Sequence, residues 1–261
     1  MNATLKLAQD VPARSAIAFL SVAAPAYNEA EGITAVLDGW LEYLRRSDLI
    51  ERFEIVVCND GSRDETGALL DSKARHSAEV RPVQLDRNRG AAIALSTAIR
   101  HTRGDWVLLI DSDGQFPISN LEALVSAVTP SDRLAAIGVR PVKKDGAFAR
   151  FGSCASGALC NRFHGTRYRD FNSALKLVHG PLLRSLNLEA RGLNYSTEVT
   201  SKLLERGISL AETEIVHLPR ERGKSSLKAV RGAFDRLLFV AYIGFRQLLL
   251  RLRILEVRSS C

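Results

Sequence analysis

Four short polar clusters hold the residues of this chain best suited to chemistry. The plainest is Asp111-Ser112-Asp113, which directly follows the apolar run 106–110. Two carboxylates at i and i+2 beyond a strand's end can reach one hard divalent cation, which in turn can bridge the two phosphates of a nucleotide sugar. A nucleoside diphosphate is a poor leaving group until its developing charge is neutralised, so a cation here acts as a Lewis acid on departure. The plainer alternative is a solvated acidic turn.

A second cluster, Asn59-Asp60-Gly61-Ser62, follows the apolar run 53–58. Gly61 permits a tight turn that leaves the Asp60 carboxylate facing a cleft, where it suits hydrogen bonds to a nucleobase or ribose. An Asx turn capping the next helix is the competing reading, with Ser62 or Asp64 able to cap as well. Tyr27-Asn28-Glu29 offers an aromatic platform and a carboxylate for a nucleoside, or else a helix N-cap with an acidic first turn. The remaining cluster is Asp86-Arg87-Asn88-Arg89-Gly90.

Further along, Asp170 and Glu198 read either as ion-pair or capping residues or as a general base for a hydroxyl acceptor. The basic loop 219–228, with Arg220, Arg222, Lys224 and Lys228, is a solvated loop or a set of cations offsetting repulsion between two anionic substrates.

These clusters need elements to position them. Residues 19–25, 53–58, 81–85 and 105–110 read as strands, several of them almost continuously apolar, as in buried parallel sheets. Residues 31–44, 65–77 and 90–101 between them carry helical spacing. The βαβαβαβ order predicts an α/β fold, a mostly parallel, doubly wound sheet with helices on both faces. Ligands bind such sheets beyond the carboxyl ends of the strands, so all four clusters converge on one edge. In the second half, 134–139 and 208–218 read as strands, and 148–163 and 197–205 as helices.

In the last segment Leu227, Val230, Phe234, Leu237, Leu238, Ala241, Phe245, Leu248, Leu249 and Leu252 share one helical face. Such a helix packs on its own domain, pairs with a second copy, or lies in a membrane interface. The expected organisation is a loose tail over 1–18, a domain over 19–225 and an amphipathic helical extension over 226–261.

The formal net charge of +7 over 261 residues favours anionic partners. The basic residues are dispersed without interleaved stacking aromatics, which argues against nucleic acid. No run reaches the roughly 20 uncharged apolar residues of a spanning helix. Cys58, Cys154, Cys160 and Cys261 form no CxxC pair and no zinc-spaced cluster. Free thiols in a reducing cytoplasm are expected, most of them as small buried hydrophobes.

Taken together, Pro25-Ala26-Tyr27-Asn28-Glu29, residues 57–66, Asn88-Arg89-Gly90 and residues 111–117 (Asp-Ser-Asp-Gly-Gln-Phe-Pro) closely resemble family 2 glycosyltransferases, in the family's order. That resemblance implies the GT-A fold and inverting transfer from a nucleotide-diphosphate sugar. It places Pro25, Tyr27, Asn28, Glu29 and Asp60 at the nucleotide, and Asp111, Asp113 and Gln115 around Mg²⁺ or Mn²⁺.

The Asp-x-Asp-x-Gln-x-Pro pattern is similar to the dolichol-phosphate mannosyltransferase-like, polyprenyl-phosphate subgroup. Gly138-Val139-Arg140 resembles the subgroup's Gly-Ser-Arg, and 170–176 its Asp-x-x-Ser-Gly-Phe-Arg. Residues 220–225 resemble its Arg-x-x-Gly-x-Ser, while Glu198 stands at a helix glutamate of related enzymes. The resemblance thus implies a GDP- or UDP-linked donor and a polyprenyl-phosphate acceptor held by Arg140 and Arg220, with Lys224 and Ser225 nearby. Asp113, Asp170, Glu198 and Arg220 form its expected catalytic set.

Two departures stand out: Ser226 replaces the motif's final lysine, and Lys176 replaces an arginine, keeping charge but losing bidentate geometry. The expected location is the inner face of the cytoplasmic membrane, held peripherally. The alternative is a family 2 enzyme acting on a sugar or other hydroxyl in cell-envelope glycan synthesis. A nucleotidyltransferase would need a glycine- and lysine-rich first loop, which Ala24-Pro25-Ala26 does not supply.

Overall fold

The computed structural model describes residues 17–129, 133–141, 147–190, 194–219 and 229–252, with the side chains of 147–151 and 229–235 outside that description. Seven strands form one sheet: β1 (Ile17–Ala26), β2 (Ile50–Asn59), β3 (Val80–Gln84), β4 (Trp106–Leu109), β5 (Ala135–Val139), β6 (Lys176–His179) and β7 (Ala211–Glu214). Their order is β3-β2-β1-β4-β6-β5-β7. Only β6 runs antiparallel to its neighbours, so the sheet is mostly parallel as its sequence order demands.

The helices are α1 (Ile33–Arg46), α2 (Thr66–His76), α3 (Ala91–His101), α4 (Asn120–Val128), α5 (Ala147–His164), α6 (Gly180–Arg184), α7 (Tyr195–Glu205) and α8 (Ala229–Arg251). Strand side chains alternate between two cores. Leu20, Val22 and Ala24 of β1 pack with Leu37 and Leu41 of α1 and Leu121 and Leu124 of α4. Ala23, Val56, Val107 and Leu109 pack instead with Leu95 of α3 and Val199 and Leu203 of α7. Helices therefore cover both faces, which is why Ile55, Val56 and Val57 can be apolar in succession and all fully buried. Each such side chain contributes about 1.5–3 kcal/mol through burial.

Several elements differ from their sequence-based expectation. β1 begins at Ile17, two residues inside the expected tail, because Ile17 pairs with Ile50 and is buried. The strand expected over 208–218 shortens to Ala211–Glu214, where it pairs with β5. α4, β6 and α6 had no counterpart in the reading; the last two are only four and five residues long, too short to show a period. Cys58 and Cys160 are buried, but Cys154 is exposed. α5 buries Ser153, Ser156 and Cys160, and Cys154 lies off that face. Cys261 lies outside the described residues.

α8 settles against the domain with most of its wide apolar arc facing outward. Among its described side chains Val240 and Ile243 are the buried apolar ones, packed with Cys160 of α5 and Phe171. Arg246 turns inward to Glu205 at 2.9 Å. The face read as apolar stays outside: Leu237, Leu238, Phe245, Leu248 and Leu252 are exposed. Among the described residues no helix is long and apolar enough to cross a membrane.

Candidate active site

The chain runs from β1 outward to β2 and β3, then returns to place β4 on β1's other side. That reversal opens a crevice at the carboxyl ends of β1 and β4. Pro25 and Asp111 are at this opening, and the Ser112 hydroxyl donates to the Pro25 carbonyl at 2.7 Å, tying the two tips together.

The loops after β1 and β2 are laced to each other. Asn28 adopts a left-handed backbone, φ 54°, the only described non-glycine residue with positive φ. This conformation lets the Asn28 N–H donate to Ser62 Oγ at 3.0 Å while Asn28 Oδ1 accepts the Arg63 N–H at 2.9 Å. Glu29 N–H donates to Thr66 Oγ1 at 2.9 Å, and Ala30 N–H to Asp64 Oδ2 at 3.2 Å. Tyr27 is half-buried beside them. The Glu29 carbonyl accepts the Ile33 N–H and so starts α1.

Asp60 is buried and does structural work at the rim. Its two oxygens accept the Arg89 and Gly90 N–H groups, at 2.7 and 2.8 Å. Burial raises the Asp60 pKa, and these two hydrogen bonds oppose the rise. Gly61 beside it has φ 61°, and a Cβ there would meet the Arg87 backbone at 2.3 Å. The β2 and β3 loops thus approach closely only because glycine sits between them.

On the β4 side, Asp113 Oδ1 accepts the Gln115 N–H at 3.1 Å, an Asx turn made possible by Gly114 at φ 77°. The Gln115 amide donates to the Leu218 carbonyl at 3.3 Å, and the Gln115 carbonyl accepts the Leu218 N–H at 2.8 Å. Residue 218 is thereby fixed against the Asp-Ser-Asp turn. Burial, then the Asp113 charge, pushes the Asp111 carboxyl up to about 6, and a hydrogen bond from the Tyr195 hydroxyl pulls the other way.

Behind this turn lies a buried charge cluster. Arg140 grips Asp170 at two points, Nε to Oδ2 at 2.7 Å and Nη2 to Oδ1 at 3.2 Å. Lys176 is fully buried and donates to the Ser173 carbonyl. Burial pushes Lys176 down to about 7, against the pull of Asp170 and Asp111. Its amine is therefore held inside the protein, where the charges of both acids act on it.

Glu198 does not join that cluster through a hydrogen bond. Its oxygens accept the Glu189 and Ala190 N–H groups at 2.6 and 2.9 Å, and Lys202 lies at 3.4 Å. Arg220, Lys224, Ser225 and the Ser226 departure lie outside the described residues. Tyr195 and the burial of Lys176 were missed in sequence reading. A buried tyrosine hydroxyl needs a partner, but nothing along the chain shows which residue supplies it.

A doubly wound sheet with a rim of acids, loop N–H groups and glycines is the architecture of a nucleotide-binding α/β protein. A model of the family described as Glycosyl transferase family 2 matches residues 21–184. This chain belongs to that family, and its fold is GT-A.

Among relatives, an undecaprenyl-phosphate 4-deoxy-4-formamido-L-arabinose transferase of Pseudomonas fluorescens is 30% identical over 220 residues, 81% of this chain and 61% of that protein. This chain thus spans about three-fifths of that relative's length. A dolichyl-phosphate beta-glucosyltransferase of Trichomonas vaginalis is 37% identical over 103 residues, 38% of this chain and 31% of its own.

Among solved structures, mannosyl-3-phosphoglycerate synthase from Rubrobacter xylanophilus superposes with a TM-score of 0.68 at 16% identity, covering 93% of this chain and 77% of its own. Glucosyl-3-phosphoglycerate synthase from Mycobacterium tuberculosis, in complex with Mn²⁺ and uridine-diphosphate-glucose, gives 0.64 at 21% identity, covering 91% and 81%. At these identities the likeness concerns the fold.

Proposed function

We propose that this chain transfers a hexose-type sugar, with inversion, from a nucleotide-diphosphate donor to a polyprenyl phosphate at the cytoplasmic membrane face. The observation that carries the reading is the convergence of the Asp60-held loop, Asp111 and Asp113 on one rim, with the Arg140–Asp170 pair and the buried Lys176 behind it. The nucleoside lies along Pro25, Tyr27, Asn28, Glu29 and Asp60. The names of the two relatives, both lipid-phosphate sugar transferases, agree with this acceptor.

Among the described residues no group of three or more His, Cys, Asp and Glu side chains offers a metal cage. The donor set that remains is Asp111, Asp113 and the Gln115 amide oxygen, all hard oxygens, and it suits Mg²⁺ or Mn²⁺ completed by substrate phosphates. The raised Asp111 fits that assignment, since a carboxylate crowded by burial and a second acid gains from a divalent charge. When bound, the ion supplies neutralisation of the departing diphosphate.

The two carboxylates considered as general bases are both engaged: Asp170 by Arg140, and Glu198 by two backbone N–H groups. A monophosphate acceptor is ionised near neutral pH and needs no base, which favours it over a hydroxyl. The outward apolar stripe of α8, beside the exposed Arg162 and Arg251, supports peripheral contact with an anionic bilayer.

Radiolabelled UDP- and GDP-hexoses, offered with Mn²⁺ or Mg²⁺ to extracted polyprenyl phosphate and to soluble glycans, test the reading. Metal-dependent label in the organic phase is expected. Label confined to soluble glycan replaces the lipid acceptor with a hydroxyl one.

A further inference from the structure

We infer that Tyr195 is a positioning residue for the metal and diphosphate site, holding the Asp111 carboxylate in place through its hydroxyl. The inference rests on the proposed metal-dependent reading and adds a residue that no motif of the chain points to.

Tyr195 opens α7 and is 7% exposed, its ring packed in the core cluster that contains Val178, Val199 and Leu203. Its hydroxyl donates to Asp111 Oδ1. With one oxygen taken, the carboxylate plane is set and Oδ2 is the oxygen left to address a ligand.

The helix that brings Tyr195 there is itself anchored on several sides. Thr197 Oγ1 donates to Asn172 Oδ1 at 2.8 Å, and Thr200 Oγ1 to the Phe171 carbonyl at 3.1 Å. Glu198 holds the 189–190 backbone. Tyr195 therefore transmits the position of an anchored helix to a half-buried carboxylate that lies next to another acid. Among the described residues the Tyr195 hydroxyl is the hydrogen-bond donor to the Asp111 carboxylate, and Lys176 and Arg140 act on it through their charge. A phenylalanine keeps the ring packing and removes only this restraint.

The test compares wild type with Tyr195→Phe in the full chain. Mn²⁺ affinity is read from the electron paramagnetic resonance signal of free Mn²⁺ with UDP or GDP present, alongside thermal unfolding and the kcat and KM for metal. Apparent Mn²⁺ dissociation is expected to rise about tenfold, the usual scale for losing a partner of a metal ligand. kcat at saturating Mn²⁺ should stay within about twofold and KM for metal should follow the binding constant, as expected when only metal binding is weakened.

Equal Mn²⁺ affinity in the two proteins overturns the inference while leaving the metal site standing. Absence of Mn²⁺ binding in wild type overturns both. Should the variant fail to fold, 3-fluorotyrosine placed at 195 reports instead: its ¹⁹F resonance must move when Mg²⁺ and UDP or GDP are added, and a fixed resonance overturns the inference.

Discussion

Arg140 and Asp170 meet through two parallel contacts, 2.7 and 3.2 Å long, with their side chains 11% and 1% exposed. The pair joins the end of β5 to the segment leading into β6, directly behind the acidic turn. Removing one partner of a buried ion pair leaves an uncompensated charge, which costs about 3–5 kcal/mol. Asp170→Ala is expected to lose stability on that scale in urea unfolding, because it takes from Arg140 a two-point partner and from Lys176 the acid that acts most on its charge. An unchanged unfolding midpoint would show that the pair contributes nothing to the fold.

Asp113 is half-exposed, and the hydrogen bond it accepts from Gln115 is local. Asp113→Ala should therefore keep the unfolding temperature within a few degrees. Transfer should fall by at least about a hundredfold, as when a charge-stabilising group is removed from a reacting centre. Turnover near the wild-type rate would end the metal assignment.

Asn28 combines a left-handed backbone with two hydrogen bonds to the β2 loop. Asn28→Ala retains the strain and loses the Arg63 contact, for an expected cost of about 1–2 kcal/mol. Asn28→Gly relieves the strain and should recover part of that loss. Both variants should raise KM for the nucleotide sugar more than they lower kcat, which steady-state kinetics will read directly.

His164 is pushed down to about 4, first by burial and then by the Arg251 charge. Its folded pKa lies below the unfolded value near 6.5, so it binds fewer protons when folded. The stability tied to its neutral form is present above about 6.5 and is lost as pH falls toward and through 4. His164→Phe should thus lose less stability than wild type between pH 7 and 4.5, measured by urea midpoints. Parallel losses in both proteins would remove His164 from the acid response.

Leu237, Phe245 and Leu248 lie on the exposed stripe of α8, away from its packed side. Replacing all three with glutamate should leave thermal unfolding nearly unchanged, since surface substitutions act within about 0.5 kcal/mol. Sedimentation with anionic phospholipid vesicles should fall several-fold. Retention of vesicle binding would assign the contact to another surface.

Much of the donor half was legible along the chain. Strands buried on both faces must be apolar almost throughout, and helices between them must carry a 3.6-residue period, so β1 to β4 and α1 to α3 appear in composition alone. Asp111, Asp113 and Asp60 follow at strand ends, and parallel winding sends those ends to one edge. β6 escaped because Lys176–His179 is four residues long and begins with a lysine, a residue whose burial no local rule predicts. The packing of α8 stayed open for a related reason: its apolar arc is wide, and periodicity cannot say which part meets the domain.

The order of elements and the placing of four polar clusters at strand tips are consequences of near-neighbour chemistry, and the sequence alone determines them. Which hydrogen bonds those polar groups make is decided by contacts between residues 30 to 90 positions apart, such as Asp60 with Gly90 and Tyr195 with Asp111. A carboxylate's role depends on what approaches its two oxygens, and only the tertiary structure brings those partners within hydrogen-bonding distance.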